Sequence, residues 1–404
     1  MLTLAKLGRW LRDAWLLIGI AAVLFALLEG SLSLLQLVRN RIARTEEPRH
    51  DWRADADAYP DRSWVTKYYQ EFRASEGVLW RPYVYWRRRP YRGAYVNVDR
   101  DGLRRTTAPT KPAHASARTI RIFMFGGSAL WGTGARDDFT IPSILARELA
   151  RSGLHAEVTN FGESGYVSTQ EVVALMLRLQ KGDYPDLVIF YDGVNDTFSA
   201  YQQHVAGLPQ NEFNRVTEFH LSTDPDRLRA MAVRDGVARL ETVRLLGGIL
   251  GQTLGRTGSG PSQEALNDLA LDNPPGVDGV AATYFGNREL LHSLSSHFHF
   301  KYLLYWQPTI FQKTSLTRYE QTERSKARAF EGFFRKAYAT VRQDSSGSRP
   351  EGAFRDLSLV FADVQQPIFV DWVHLGESGN EAIAKIMATD VVALGMPRLP
   401  PGRP

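Results

Sequence analysis

The chain has 404 residues, 44% hydrophobic and 11% aromatic, enough for one large domain with additions, or two domains, around a sizeable core. Its formal charge of +5 is modest and dispersed, which argues against nucleic acid as a partner; the basic block Arg87-Arg88-Arg89 reads as solvated surface or membrane-proximal charge. The absence of cysteine excludes disulfides, thiolate metal sites and a cysteine nucleophile, and leaves the compartment open.

Residues 1–39 read as a membrane anchor. Ala14 to Val38 is mostly Leu, Ile, Ala, Val and Phe. As a helix it would be roughly 37 Å long, against a bilayer core of about 30 Å. Trp10 and Trp15 suit one interface and Arg39, Arg41 and Arg44 the other. Glu29 interrupts the run, so a cleaved signal peptide is the alternative. Lys6, Arg9 and Arg12 precede the span and Arg39, Arg41, Arg44 and Arg49 follow it, so the basic count does not favour an outside C-terminus. A short tail before a single early span more often acts as a signal anchor, and the expectation is an exported, periplasmic domain.

Residues 40–118 form a linker and a small β-rich preface. Asn40 to Arg62 is polar, and reads as linker or short helix. Val78–Val98 is rich in Tyr, Trp and Val and broken by Pro82 and Pro90, which predicts two or three short strands, with Asp99–Gly102 as a turn. Its aromatics are expected to pack against the main domain. Thr106 to Arg118 is a Pro/Ala/Thr-rich linker.

From Thr119 the pattern becomes strand–loop–helix, and residues 119–395 read as one domain. Ile122–Phe125 is a strand running into Gly126, Gly127 and Ser128, a turn that can present a nucleophile. Ile141–Arg151 is a helix, Ala156–Phe161 a strand, Thr169–Gln180 a helix, and Asp186–Tyr191 a continuous apolar strand as in parallel sheets buried on both faces. This alternation implies a parallel sheet covered by helices, with the site just past the strand ends. After Asp196 the rhythm breaks. Residues 200–277 read as an insertion able to lie over the site, with helical stretches in Asp226–Leu254 and a Gly/Ser/Pro segment at Gly255–Ser262. Then follow a helix at Val277–Phe298, a strand at Lys301–Trp306, a long polar helix at Arg318–Arg342, an apolar segment with a strand at Leu357–Val364, a closing helix at Asn380–Val391, and a tail at 396–404.

Four blocks in this domain resemble, in order, those of the SGNH/GDSL hydrolase superfamily, in particular its membrane-anchored bacterial type. They are Gly126-Gly127-Ser128, Asn160-Phe161-Gly162-Glu163-Ser164-Gly165, Gly193-Val194-Asn195-Asp196 and Asp371-Trp372-Val373-His374. The resemblance implies a flavodoxin-like three-layer α/β/α fold with a central parallel sheet. It implies Ser128 as nucleophile, His374 as base and Asp371 as the orienting acid. It also implies an oxyanion hole built from Ser128 N–H, Gly165 N–H and Asn195 Nδ2, with Gly126, Gly127 and Asp196 in support. One residue departs from the pattern: the family's Gly-Asp-Ser is here Gly-Gly-Ser, which puts the surroundings of the nucleophile and the substrate class in question.

The chemistry is consistent without the name. A serine hydroxyl needs a base, an aspartate three residues before a histidine can hold its tautomer, and attack on an ester places charge on an oxygen that needs donors. The expectation is an esterase cleaving carboxylic esters, such as acetyl groups on a carbohydrate, with no cofactor and no metal. An O-acyltransferase acting on an extracellular polysaccharide, and a non-catalytic glycan-binding or assembly module, are the alternatives. His297 and His299 have metal-like spacing but no acidic or histidine cluster nearby in sequence. Tyr191 and Trp306 read as pocket lining or core, and Tyr201, Gln202, Gln203 and His204 lie where one of them can touch substrate.

Overall fold

The computed structural model describes residues 4–43, 50–107, 119–245, 269, 276–346 and 354–396. The linker 108–118, the segment Gly255–Ser262 and tail residues 397–404 lie outside them. The chain divides into two compact units, residues 1–49 with 215–261, and residues 50–214 with 262–404.

In the first unit, α1 (Leu4–Ala43) is one 40-residue helix. Its segment Trp10–Arg39 is long and apolar enough to cross a membrane, a property that signal sequences share. Glu29 accepts hydrogen bonds from the backbone N–H of Glu241 and of Thr242 (3.0 Å) and from the Thr242 hydroxyl (2.9 Å).

The second unit holds a preface and the sheet. The preface contains α2 (Val65–Ala74), the hairpin β1 (Val78–Arg81)–β2 (Tyr85–Arg88), and a second pair, β3 (Tyr91–Arg92)–β4 (Asn97–Val98). Its core joins Tyr59, Trp64, Tyr68, Tyr69, Phe72 and Val96 to Trp131 and Val370 of the sheet domain. The basic block is not solvated as expected: Arg87 and Arg88 are buried. The cause is Glu163, itself buried, which draws both guanidinium groups to within 4.0 and 3.8 Å. A buried carboxylate without such partners would be costly.

The sheet has five parallel strands in the order β6-β5-β7-β8-β9, with β5 (Ile120–Gly126), β6 (Ala156–Asn160), β7 (Leu187–Asp192), β8 (Lys301–Trp306) and β9 (Phe354–Asp356). In order of appearance this is 2-1-3-4-5, the flavodoxin-like arrangement. Alternate residues feed opposite faces. Ile122, Met124, Leu187 and Ile189 pack under α4 (Ile141–Arg151), α11 (Arg328–Ser346) and α12 (Glu377–Ala393). Phe123, Phe125, Val188 and Phe190 pack under α5 (Ser168–Gln180) and α9 (Gly276–Phe298). Burial on both faces is why these strands are continuous apolar runs.

The second unit also holds α3 (Ser128–Trp131), α6 (Val194–Gln203) and α10 (Arg318–Lys326); α7 (Glu212–Thr223) begins in it and continues into the first unit, which holds α8 (Pro225–Ala238). The helical stretches expected within Asp226–Leu254 are α8 and a turn of helix at 241–245; residues 246–254 lie outside the described residues. The long helix expected over Arg318–Arg342 is two helices. It breaks at Ala327, whose N–H closes back on Arg324 O at 3.1 Å. The strand expected within Leu357–Val364 lies just before it, at β9. Asp356 Oδ1 accepts from Ser358 N (2.8 Å) and turns the chain off the sheet, so Leu357 and Phe361 are buried from turns.

Candidate active site

The site lies past the C-terminal ends of β5, β6 and β7, where the strand order reverses. β5 ends in Gly126, and α3 begins at Ser128. The turn beyond α3 is pinned by the preface: Tyr68 Oη donates to Gly132 O (3.2 Å), Tyr59 Oη to Gly134 O (2.7 Å), and the buried Arg104 to Gly132 O and Ala135 O (both 2.7 Å).

Asp371 and His374 sit on a tight loop before α12. Val370 N donates to His374 O (2.9 Å), and Trp372 stacks among Phe311, Phe330 and Phe334. Asp371 Oδ1 accepts from Val373 N (2.9 Å) and His374 N (2.8 Å). Its Oδ2 lies 2.7 Å from His374 Nδ1, and His374 Nε2 lies 2.7 Å from Ser128 Oγ. Burial resists ionisation of Asp371, but His374 beside it, the hydrogen bonds from that residue and the cation of Arg53 outweigh it and hold the carboxyl down at about 2. An ionised Asp371 fixes the proton on Nδ1 and leaves the Nε2 lone pair facing the serine hydroxyl. His374 thus bridges Asp371 and Ser128 in one hydrogen-bonded chain, across 246 residues of sequence from Ser128.

The block Asn160–Gly165 is held from two sides. Glu163 N donates to Gly126 O (2.9 Å), and Asn160 Oδ1 accepts from Gly162 N (2.9 Å). From the preface, Arg87 donates to Phe161 O (2.8 Å), Arg88 to Ser164 Oγ (2.9 Å), and Trp86 Nε1 to Ser164 O (2.9 Å). Glu163 takes N–H bonds from Arg88 (3.0 Å) and Ser164 (2.9 Å); burial nevertheless pushes its carboxyl up. Gly165 has φ +80°, a left-handed backbone that favours glycine. Among the described residues, no acceptor takes the N–H of Ser128 or of Gly165.

Asn195 opens α6. Its Nδ2 donates to Tyr166 O (2.7 Å), and its Oδ1 accepts from Gln210 Nε2 (3.3 Å). These two bonds fix which way the amide faces. The amide rests on Gly127, where an added Cβ would stand 2.1 Å from Asn195 Nδ2. In this structure Asn195 occupies the space that a side chain at 127 would take. Asp196 is buried and accepts from Ser168 N (3.0 Å) and Oγ (2.6 Å), tying α6 to α5.

Gln210 was not singled out from the sequence, since no motif surrounds it. Of the four residues flagged after the Asn195 block, Tyr201 packs on Phe330 and Phe333, and Gln203 donates to Ser199 Oγ and Pro209 O. Gln202 bonds Asn211, and His204 ends α6 with φ +62°. Tyr191 and Trp306 are core. Among the described residues no cluster of three His, Cys, Asp or Glu is placed to hold a metal ion.

The arrangement can take a proton from Ser128, and the Asn195 amide lies against Gly127 next to it. The model of the family described as GDSL-like lipase/acylhydrolase matches residues 122–387. Similar solved structures include an acetyl xylan esterase (16% identity, TM-score 0.35, covering 67% of this chain and 100% of that one). A lipase/acylhydrolase from Enterococcus faecalis is 13% identical, with TM-score 0.36, covering 71% of this chain and 100% of that one. An acetylxylan esterase from Geobacillus stearothermophilus is 15% identical, with TM-score 0.33, covering 67% and 94%. No curated protein matches this chain.

Proposed function

Because this chain belongs to the GDSL-like lipase/acylhydrolase family and is an ester hydrolase, we propose that it works through an acyl-serine at Ser128 and removes small acyl groups from carbohydrate hydroxyls. The observation that carries the mechanism is the 2.7 Å approach of His374 Nε2 to Ser128 Oγ, with Asp371 behind it. Ser128 Oγ attacks the ester carbonyl carbon while its proton passes to His374 Nε2. The oxyanion that forms is received by Ser128 N–H, Gly165 N–H and Asn195 Nδ2. Collapse breaks the bond to the alcohol, which leaves with the proton from His374. Water then attacks the acyl-serine, giving its proton to His374, and the acid departs as Ser128 regains its hydrogen.

The carbohydrate part of the reading is supported by a ring ladder on the β1–β2 hairpin. Trp80, 65% exposed, lies 5.3 Å from Tyr85 at 30°, and Tyr85 lies 6.4 Å from Trp86 at 27°. Trp86 Cζ2 stands 3.4 Å from where a Cβ on Gly165 would be, so the ladder ends beside the oxyanion donors. Tyr85 donates to Glu212, and the amides of Gln202, Gln210 and Asn211 flank the same edge. Flat apolar faces beside amides suit a pyranose, which has apolar C–H faces and a polar rim. The full chain in detergent should release acetate from acetylated xylo-oligosaccharides with a higher kcat/KM than from p-nitrophenyl acetate; the reverse order would contradict a carbohydrate substrate.

We read α1 as the membrane anchor, with the hydrolase domain on the outer side. Protease added to intact spheroplasts should then digest residues 50–404, and protection of that part would contradict the orientation.

A further inference from the structure

We propose that Arg53, from a segment preceding the family-matched residues, is a positioning residue of this site: its guanidinium stands 3.9 Å behind the Asp371 oxygen that meets His374 and acts on the base through that carboxylate. The inference rests on the serine-hydrolase reading above.

Arg53 sits in a one-turn 3-10 helix, Trp52–Asp55, whose start is capped by Asp51 accepting from Arg53 N (3.1 Å). Its side chain is 13% exposed. Nε and Nη2 donate to the two oxygens of Asp51 (3.0 and 2.9 Å), the forked pairing that a guanidinium favours. The cation lies over Tyr69 (4.8 Å) and Phe72 (5.0 Å). Held by the fork and the rings, it presents Nη1 to Asp371 Oδ2 at 3.9 Å, the oxygen that meets His374 Nδ1. That distance is too long for a hydrogen bond, so Arg53 acts on Asp371 by its charge. With only 13% of the Arg53 side chain exposed, that charge is screened less than one in open solvent.

The surrounding charges decide the sign. Asp51 offsets Arg53, but Arg73 Nη2 also approaches Asp51 at 3.3 Å, so the three together carry one positive charge. Asp55 belongs to the same short helix as Arg53 and pairs with His50 (2.8 Å), and Tyr59 and Tyr69 belong to the preface core; on α10 Tyr319 lies by Asp371 and Glu323 pairs with Lys326, while Glu377 of α12 pairs with Arg136 (2.7 Å). A positive charge behind Asp371 opposes a second one on His374. Without Arg53 the imidazolium becomes easier to form, and the base is lost at higher pH.

The test is the pH dependence of kcat/KM for p-nitrophenyl acetate, with the full chain in detergent. Arg53→Met should move the acid limb up by roughly half to one pH unit, as loss of a nearby opposing charge does. Arg53→Lys should leave the limb near its wild-type position even if turnover drops. Asp51→Asn should move the limb down, because the cation is no longer offset. A limb unmoved in Arg53→Met, or moved equally by Met and Lys, would leave Arg53 only a structural role and overturn the proposal. Should Arg53→Met not fold, Asp51→Asn decides: a limb that stays or rises overturns it. A wild-type chain as slow as Ser128→Ala would instead overturn the serine-hydrolase reading, and this inference with it.

Discussion

At the scale of the residue, Gly127 governs the site through what it lacks. A Cβ there would stand 2.1 Å from Asn195 Nδ2, far inside van der Waals contact, with Asn195 already held by Tyr166 O and Gln210. Restoring the family's aspartate should therefore damage this enzyme. Gly127→Asp and Gly127→Ala should each lower kcat for p-nitrophenyl acetate by about 10²–10³-fold, the cost of losing one oxyanion donor. Asn195→Ala should show the same loss. If the glycine acts through Asn195, the double variant Gly127→Ala/Asn195→Ala should be no slower than Asn195→Ala alone. Wild-type turnover in Gly127→Ala would show that Asn195 moves aside without consequence.

At the scale of the element, the β1–β2 hairpin links the preface to the Asn160–Gly165 loop, and it does so under strain. Tyr83 and Tyr85 have φ +67° and +73°, left-handed values that bulky side chains avoid. Tyr85 spends that strain in placing its ring between Trp80 and Trp86. Trp80→Ala should lower kcat/KM on acetylated xylo-oligosaccharides about tenfold relative to p-nitrophenyl acetate, mainly through KM. An unchanged ratio would remove the ladder from substrate binding. This hairpin also marks where reading from sequence reached its limit. The strands β5, β7 and β8 were legible because burial on both faces makes them continuous apolar runs, and two of the four blocks sit at the ends of β5 and β7. The preface was less so: two of its strands have two residues each, and its core of Tyr, Trp, Phe, Val and Ala closes only on Trp131 and Val370, which are distant in sequence. Arg87 and Arg88 looked like surface charge because their partner, Glu163, lies 75 or more residues away. Gln210 and Arg53 carry no local signature, since each matters only through the residue it meets in space.

At the scale of the whole molecule, the family-matched residues 122–387 hold Ser128, Gly165, Asn195, Asp371 and His374, but not all that positions them. The preface closes a core with Trp131 and Val370, pins the Gly132–Gly134 turn, and grips the loop that ends in Gly165. A single large unit thus combines a flavodoxin-like sheet with a preface that reaches the same site from outside the family's span. The central claim is that Ser128 is the nucleophile of an ester hydrolase. Its most direct test is the steady-state hydrolysis of p-nitrophenyl acetate by the full chain in detergent, wild type against Ser128→Ala. Wild type should turn over and Ser128→Ala should be slower by about 10³-fold or more, as loss of a serine nucleophile is elsewhere; equal rates for the two proteins would contradict the account.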